Sequence, residues 1–299
     1  MTLSLVERLA QGDILVADGA TGTNLQAAGL TAGVMPEEWV INAPQPILAL
    51  ARAFVEAGSD IILTCTVGAT RPRLHDSGLA DRVGDVNRRA AALARDAAAT
   101  REGVLVGGSL GPTGLLMEPL GALTHAEAVA AFAEQAAALT EGGVDFLLLE
   151  TQSALDEALA AIQGIQQVSH LPLVVSFSYD RGTRTMMGVR PRQAVAAVEP
   201  LGVVAIGANC GKGLDTMEQV VAEMAEATSL PLWVKPNAGL PQVSGSDVTY
   251  SVGPEAMAEY ATRYLRLGAR IVGGCCGSAP AHVAAIARAA AAYHAPTPE

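Results

Sequence analysis

Short apolar runs alternate along the chain with longer stretches in which alanine, leucine and valine recur at helical spacing. The runs predict strands at Ile14–Ala17, Asp60–Thr64, Leu105–Ser109, Asp145–Leu149, Leu173–Phe177, Val203–Ala208, Leu232–Lys235 and Ile271–Gly273. The stretches between them predict helices near Pro46–Ala57, Asp81–Thr100, Thr124–Glu141, Ala154–Val168, Arg192–Glu199, Leu214–Ala227, Pro254–Leu267 and Pro280–Ala292. Strict strand–helix alternation implies a parallel sheet with right-handed crossovers. Repeated eight times in a chain of 299 residues, it fits a TIM-type (β/α)8 barrel of the α/β class better than an open doubly wound sheet. The phrases Glu56-Ala-Gly-Ser-Asp, Glu141-Gly-Gly-Val-Asp and Leu267-Gly-Ala-Arg each place glycine where a helix stops before the next strand. No Gly/Ser/Pro linker breaks the pattern, so the expectation is one barrel domain over residues 1–293 and a disordered tail over 294–299.

Composition narrows what such a barrel does. Half the residues are hydrophobic and 16% are charged, enough for a large core. The net charge of −11, with Lys212 and Lys235 the only lysines and no basic stripe, argues against nucleic acid as a partner. The glycine-rich Gly107-Gly-Ser-Leu-Gly-Pro-Thr-Gly contains Pro112 and lacks both GxGxxG and GK[ST], which disfavours a nucleotide site. The N-terminus has no basic segment followed by an apolar one, and no apolar run is long enough to span a bilayer. A cytoplasmic protein without membrane contact is expected.

In a barrel of this type the chemistry sits at the C-terminal ends of the strands. Those ends present Asp18, Thr64-Cys65, Ser109, Glu150-Thr151, Ser178-Tyr179, Asn209-Cys210, Pro236-Asn237 and Cys275-Cys276. All four cysteines therefore fall on strand ends, whereas merely structural free cysteines are small buried hydrophobes and would scatter. Closing the barrel brings the eighth strand close to the sixth, so Cys210 can face Cys275 and Cys276. Three thiolates suit a soft tetrahedral ion, zinc above all, and leave its fourth position open. A thiol of pKa about 8.5 is only slightly ionised at pH 7, but a coordinated one is deprotonated. Alkyl transfer to sulfur fits such a site better than hydrolysis, with no catalytic residue needed beyond the zinc ligands.

The other strand ends read as substrate holders. Asp18 beside the Gly19-Ala20 turn, together with Glu150, matches an α-amino acid: ammonium to the two acids, carboxylate to the turn amides. Taken singly, each acid is equally a helix cap or half of a strand-end ion pair. Ser109, Asn209 and Cys65 are read as further substrate contacts; Cys65 as a fourth zinc ligand would block the substrate. The five histidines suggest no cluster.

At these positions the sequence resembles the homocysteine S-methyltransferase family, from about Ile14 to Ala292. The motifs are Asp18-Gly-Ala-Thr-Gly-Thr-Asn, Gly108-Ser-Leu-Gly-Pro-Thr-Gly, Leu149-Glu-Thr, Gly207-Ala-Asn-Cys-Gly, Pro236-Asn-Ala-Gly-Leu-Pro and Gly273-Gly-Cys-Cys-Gly. The resemblance implies a zinc-bearing barrel with Cys210, Cys275 and Cys276 as ligands and homocysteine gripped by the Asp18 turn and Glu150. The pattern stops after the eighth helix, without the folate, cobalamin and reactivation modules of cobalamin-dependent methionine synthase. Asp18–Leu30 and Thr185-Met-Met-Gly-Val resemble stand-alone bacterial betaine–homocysteine methyltransferases. Where the family often has Thr-Asn-Thr-Phe, this chain has Thr64-Cys65-Thr66-Val67, which alters the pocket. The expected reaction is methyl transfer from betaine or S-methylmethionine to homocysteine, giving methionine. An onium donor calls for aromatic faces, for which Trp39 and Tyr179 are best placed; Trp39 is equally a loop anchor over the mouth. Two alternatives stand beside this reading: a methylated corrinoid protein as donor, or a non-catalytic zinc-binding barrel.

Overall fold

The apolar runs pair as parallel strands in the computed structural model, which describes residues 3–244 and 247–293. The strands are β1 (Leu15–Val16), β2 (Ile61–Leu63), β3 (Leu105–Leu110), β4 (Phe146–Gln152), β5 (Leu173–Ser178), β6 (Ala205–Cys210), β7 (Leu232–Pro236), β8 (Pro241–Ser244), β9 (Asp247–Tyr250) and β10 (Ala269–Val272). Eight of them hydrogen-bond in the order β1-β10-β7-β6-β5-β4-β3-β2, and a parallel bridge between Ala17 and Ile61 joins the two ends into a ring. The result is the TIM-type (β/α)8 barrel that the alternation predicts. Strands β8 and β9 form an antiparallel hairpin outside the ring.

The period of two along each strand divides the core. Leu15, Ile61, Leu105, Phe146, Leu148 and Trp233 fill the inside of the barrel. Their neighbours Val16, Ile62, Val106, Leu147, Leu149 and Val234 face the helices. Both faces are dry, which is why the strands read as continuous apolar runs. At β6 and β7 the backbones approach so closely that a β-carbon on Gly207 would overlap the Trp233 carbonyl. Gly207→Ala should therefore lower stability by at least ~1–3 kcal/mol, read as a reduced urea midpoint. An unchanged midpoint would refute that close approach.

The helices are α1 (Leu5–Ala10), α2 (Gly22–Ala27), α3 (Pro36–Asn42), α4 (Pro44–Glu56), α5 (Arg71–Leu74), α6 (Val83–Ala98), α7 (His125–Glu141), α8 (Leu155–Val168), α9 (Pro191–Val198), α10 (Leu214–Ala225), α11 (Pro254–Arg266) and α12 (Pro280–Ala292). Eight of these are the predicted crossovers, and Gly58 (φ 104°) and Gly268 (φ 102°) end two of them in the left-handed region as anticipated. The short α1, α2, α3 and α5 were not anticipated. α1 is held by a Ser4–Glu7 capping box and sends Leu5 into the barrel interior, closing the end opposite the strand tips. α2 and α3 fold within the long β1–α4 connection and lean over the mouth. Among the described residues no helix is long and apolar enough to cross a membrane. Residues 294–299, read as a tail, lie outside the described residues.

Candidate metal and substrate site

Cys210 is the last residue of β6, and Cys275 and Cys276 follow β10. Their three sulfurs lie within 4.8 Å of one another, Cys210 and Cys275 at 2.9 Å. Cys210 reaches this position in the left-handed backbone region (φ 57°), and Thr151 at the β4 end, two strands away, does the same (φ 62°). Such conformations are unfavourable for residues with a β-carbon and persist where surrounding bonds over-determine them. Asn209 supplies those bonds. Its Oδ1 accepts from the Ser176 hydroxyl at 2.7 Å and the Thr151 amide at 3.0 Å. Its Nδ2 donates to Thr151 Oγ1 at 2.7 Å and points toward the sulfurs of Cys210 (3.6 Å) and Cys275 (3.9 Å). Asn209, expected to touch substrate, is fully buried, and its side-chain amide faces the cysteines.

Without a cation the three sulfurs cannot all ionise. Hydrogen bonds from Cys210 and then Cys275 pull Cys276 down to about 3, whereas donating to Cys275 holds Cys210 well above the usual thiol range. One negative charge shared by three thiols is a site that a divalent ion would complete, displacing the remaining protons to solvent. Three sulfurs and no nitrogen or carboxylate make the donor set soft, and they leave a tetrahedral ion one open position. These residues can hold a metal ion. Tyr250, at the tip of β9, brings its hydroxyl to Cys276 and is pushed up to about 12 by burial and then by the sulfur charges. Nothing in the sequence marked Tyr250, because its hairpin carries no strong strand pattern.

The cysteines form one wall of a cavity of about 510 Å³ that also takes in Glu150, Ser109, Lys235 and the Gly19–Thr23 turn. Glu150 accepts from the Ser109 hydroxyl at 2.5 Å, and the Ser109 amide donates to Thr64 Oγ1 at 3.0 Å. Burial raises Glu150 to about 7, against the pull of Lys235. The cavity thus joins the cysteine cluster to a buried carboxyl raised to about 7.

Asp18 does not border the cavity. Its Oδ1 is paired with Lys235 at 2.5 Å and its Oδ2 accepts the Leu63 amide at 2.8 Å, both groups being almost fully buried. Its carboxylate is engaged by the barrel wall through these two partners. Of the turn amides expected to bind a carboxylate, that of Ala20 is given to the Ser278 carbonyl at 3.1 Å. Gly19 and Ala20 still line the cavity. Lys235, buried among apolar strand residues, was missed because a lone lysine in an apolar run reads as a strand end.

Cys65 lines the cavity as a neutral thiol, pushed up by burial and then by the nearby Glu37 carboxylate. Neither Trp39 nor Tyr179 borders that space. Trp39 is half-buried in a satellite cluster with Leu25, Val40 and Leu74. Tyr179 is 1% exposed and turns outward into the strand–helix layer. No aromatic side chain lines the cavity among the described residues; its outer wall holds Glu37, Val67, Gly68, Arg73 and Pro112.

Comparison with known proteins agrees with this geometry. Residues 15–290 match the family model described as homocysteine S-methyltransferase. The chain is similar to the methionine synthases of Mycobacterium leprae (33% identical over 96% of this chain) and Mycobacterium tuberculosis (33% over 93%). It spans about a quarter of the length of those relatives. Among solved structures it is similar to the metallated form of the Escherichia coli homocysteine methyltransferase MmuM. The TM-score is 0.80 and the identity 26%, over 94% of this chain and 97% of that one.

Proposed function

Because the chain belongs to the homocysteine S-methyltransferase family, we propose that it transfers a methyl group from a small onium donor, betaine or S-methylmethionine, to the thiol of homocysteine, giving methionine. The observation that carries this reading is the single cavity in which three cysteine sulfurs stand beside a buried, ionisable Glu150. Cys210, Cys275 and Cys276 would hold zinc, whose contribution when bound is to keep the acceptor sulfur ionised at neutral pH. The metallated MmuM relative supports a metal in this family.

The chain's own residues do the positioning. Glu150, held by Ser109, takes the acceptor's ammonium, and the Gly19–Thr23 turn forms the wall behind it. Lys235 keeps Asp18 neutralised, so that Glu150 is the one carboxylate left for the acceptor at this end of the cavity. In the transfer a lone pair of the acceptor sulfur forms the new S–CH3 bond. The donor's bond to that carbon breaks, its electron pair returns to the leaving nitrogen or sulfur, and the thiol proton is lost to solvent. Holding acceptor and donor in line supplies much of the acceleration.

An ammonium needs ionised Glu150, and Glu150 ionises only near 7, so the acceptor KM should fall as pH rises through about 7. Glu150→Gln should raise the acceptor KM about tenfold or more, flatten that pH dependence and leave metal content unchanged. A normal KM in the variant would show that the ammonium binds elsewhere.

A methylated corrinoid protein as donor is the second reading, favoured by one observation. Leu115, Leu116 and Leu120 in the β3–α7 connection and Met186 and Met187 in the β5–α9 connection are 43–67% exposed on the same face as the cysteines. An apolar rim of this kind suits a docking protein. Assaying methionine formation with betaine, S-methylmethionine and a methyl-corrinoid protein side by side separates the two. No turnover with any of them would leave a zinc-binding barrel without catalysis.

A further inference from the structure

The cavity has a second charged end that the acceptor does not use. Glu37, on α3, is 1% exposed and lines the outer wall. The Gly68 amide, at 2.6 Å, is the one group of another residue that hydrogen-bonds to its carboxylate among the described residues, and no lysine or arginine lies within salt-bridge distance. A buried carboxylate without a cation is costly, and proteins ordinarily pair it or leave it protonated. Burial does push Glu37 up, with Arg73 pulling it partly back.

Arg73, on α5, is the complementary group. It is exposed, lines the same cavity, and makes no ion pair among the described residues, whereas Arg71 two residues earlier binds Asp81 and Glu134. Gly114 lets it lie flat against the β3–α7 connection: a β-carbon there would come within 2.9 Å of Arg73 Cδ. A free guanidinium is a fork for a carboxylate. The same outer wall carries Cys65, Val67, Gly68 and Pro112, and among the described residues no aromatic side chain lines the cavity to receive a methylated cation, Tyr250 meeting Cys276 through its hydroxyl.

We propose that this outer half of the cavity is the donor subsite, in which Glu37 faces the onium centre and Arg73 binds the donor's carboxylate. The inference rests on the onium reading above and assigns the two charges of its donors, both onium carboxylates, to Glu37 and Arg73. A buried carboxylate replaces the aromatic cage as the counter-charge, while the short β2–α5 segment Cys65–Gly68 leaves room for the methyl group to reach the acceptor sulfur.

The test uses zinc-loaded full-length enzyme and a matched donor pair, dimethylsulfonioacetate and ethyldimethylsulfonium, which differ by the carboxylate. Arg73→Gln should raise the KM for dimethylsulfonioacetate about tenfold or more, leave that for ethyldimethylsulfonium unchanged, and be partly rescued by Arg73→Lys. Glu37→Gln, which keeps an acceptor for Gly68, should raise the KM for both donors and not the homocysteine KM. Betaine and S-methylmethionine run in parallel identify which natural onium the subsite prefers. If wild type uses these donors but Arg73→Gln affects both of the pair equally or neither, the subsite falls alone. If wild type uses none of them, the onium reading and the subsite fall together.

Discussion

Replacing Cys210 with alanine should remove the metal and methyl transfer together. The three sulfurs are the whole donor set, with no histidine or carboxylate near enough to substitute among the described residues. Losing one leaves two thiols that again share protons with each other. Loss of a mere supporting partner weakens a metal site by about 10–100-fold, so loss of a ligand should exceed that. Metal content after dialysis and methionine formation are the readouts, and Cys276→Ala should behave alike. Full retention of metal by both variants would displace the site. Asn209→Ala should give a milder version, because it frees the strained Cys210 and Thr151 backbones without removing sulfur.

Breaking the Asp18–Lys235 pair should be the most damaging change to stability. Both groups are 3% exposed, and Lys235→Met strands the Asp18 charge inside the barrel mouth. Uncompensated buried charges of this sort cost ~3–5 kcal/mol, which a denaturant midpoint would read directly. The double variant Asp18→Asn with Lys235→Met should recover most of that loss, since no charge is then left unpaired. If the double variant is as weak as the sum of the singles, the two groups are not coupled and the pair is misread.

The barrel was legible in the sequence because its signal is periodic. Strands buried on both faces read as apolar runs, and the crossover helices show their amphipathic stripe. Predicted and observed ends differ by a few residues where apolar character does not coincide with pairing, as at Ile271–Gly273 against β10 (Ala269–Val272). The meeting of the three cysteines was legible for a topological reason: closing the ring fixes which strand ends meet. What could not be read was whether a polar strand end faces the cavity or a neighbour. Asp18 and Lys235 stand 217 positions apart, and only the β1–β10–β7 neighbourhood shows that each answers the other. Glu37, Arg73 and Tyr250 sit on short elements inserted between barrel units, where no period announces a role.

The chain's arginine bias has a practical side. With Lys235 sealed under Asp18, Lys212 is the one lysine side chain open to solvent, two residues beyond Cys210. An acylating dye at mild pH would therefore tag the amino terminus and a single point on the barrel rim. A fluorophore there would be anchored two residues from Cys210, a chemically unique position from which to follow the site.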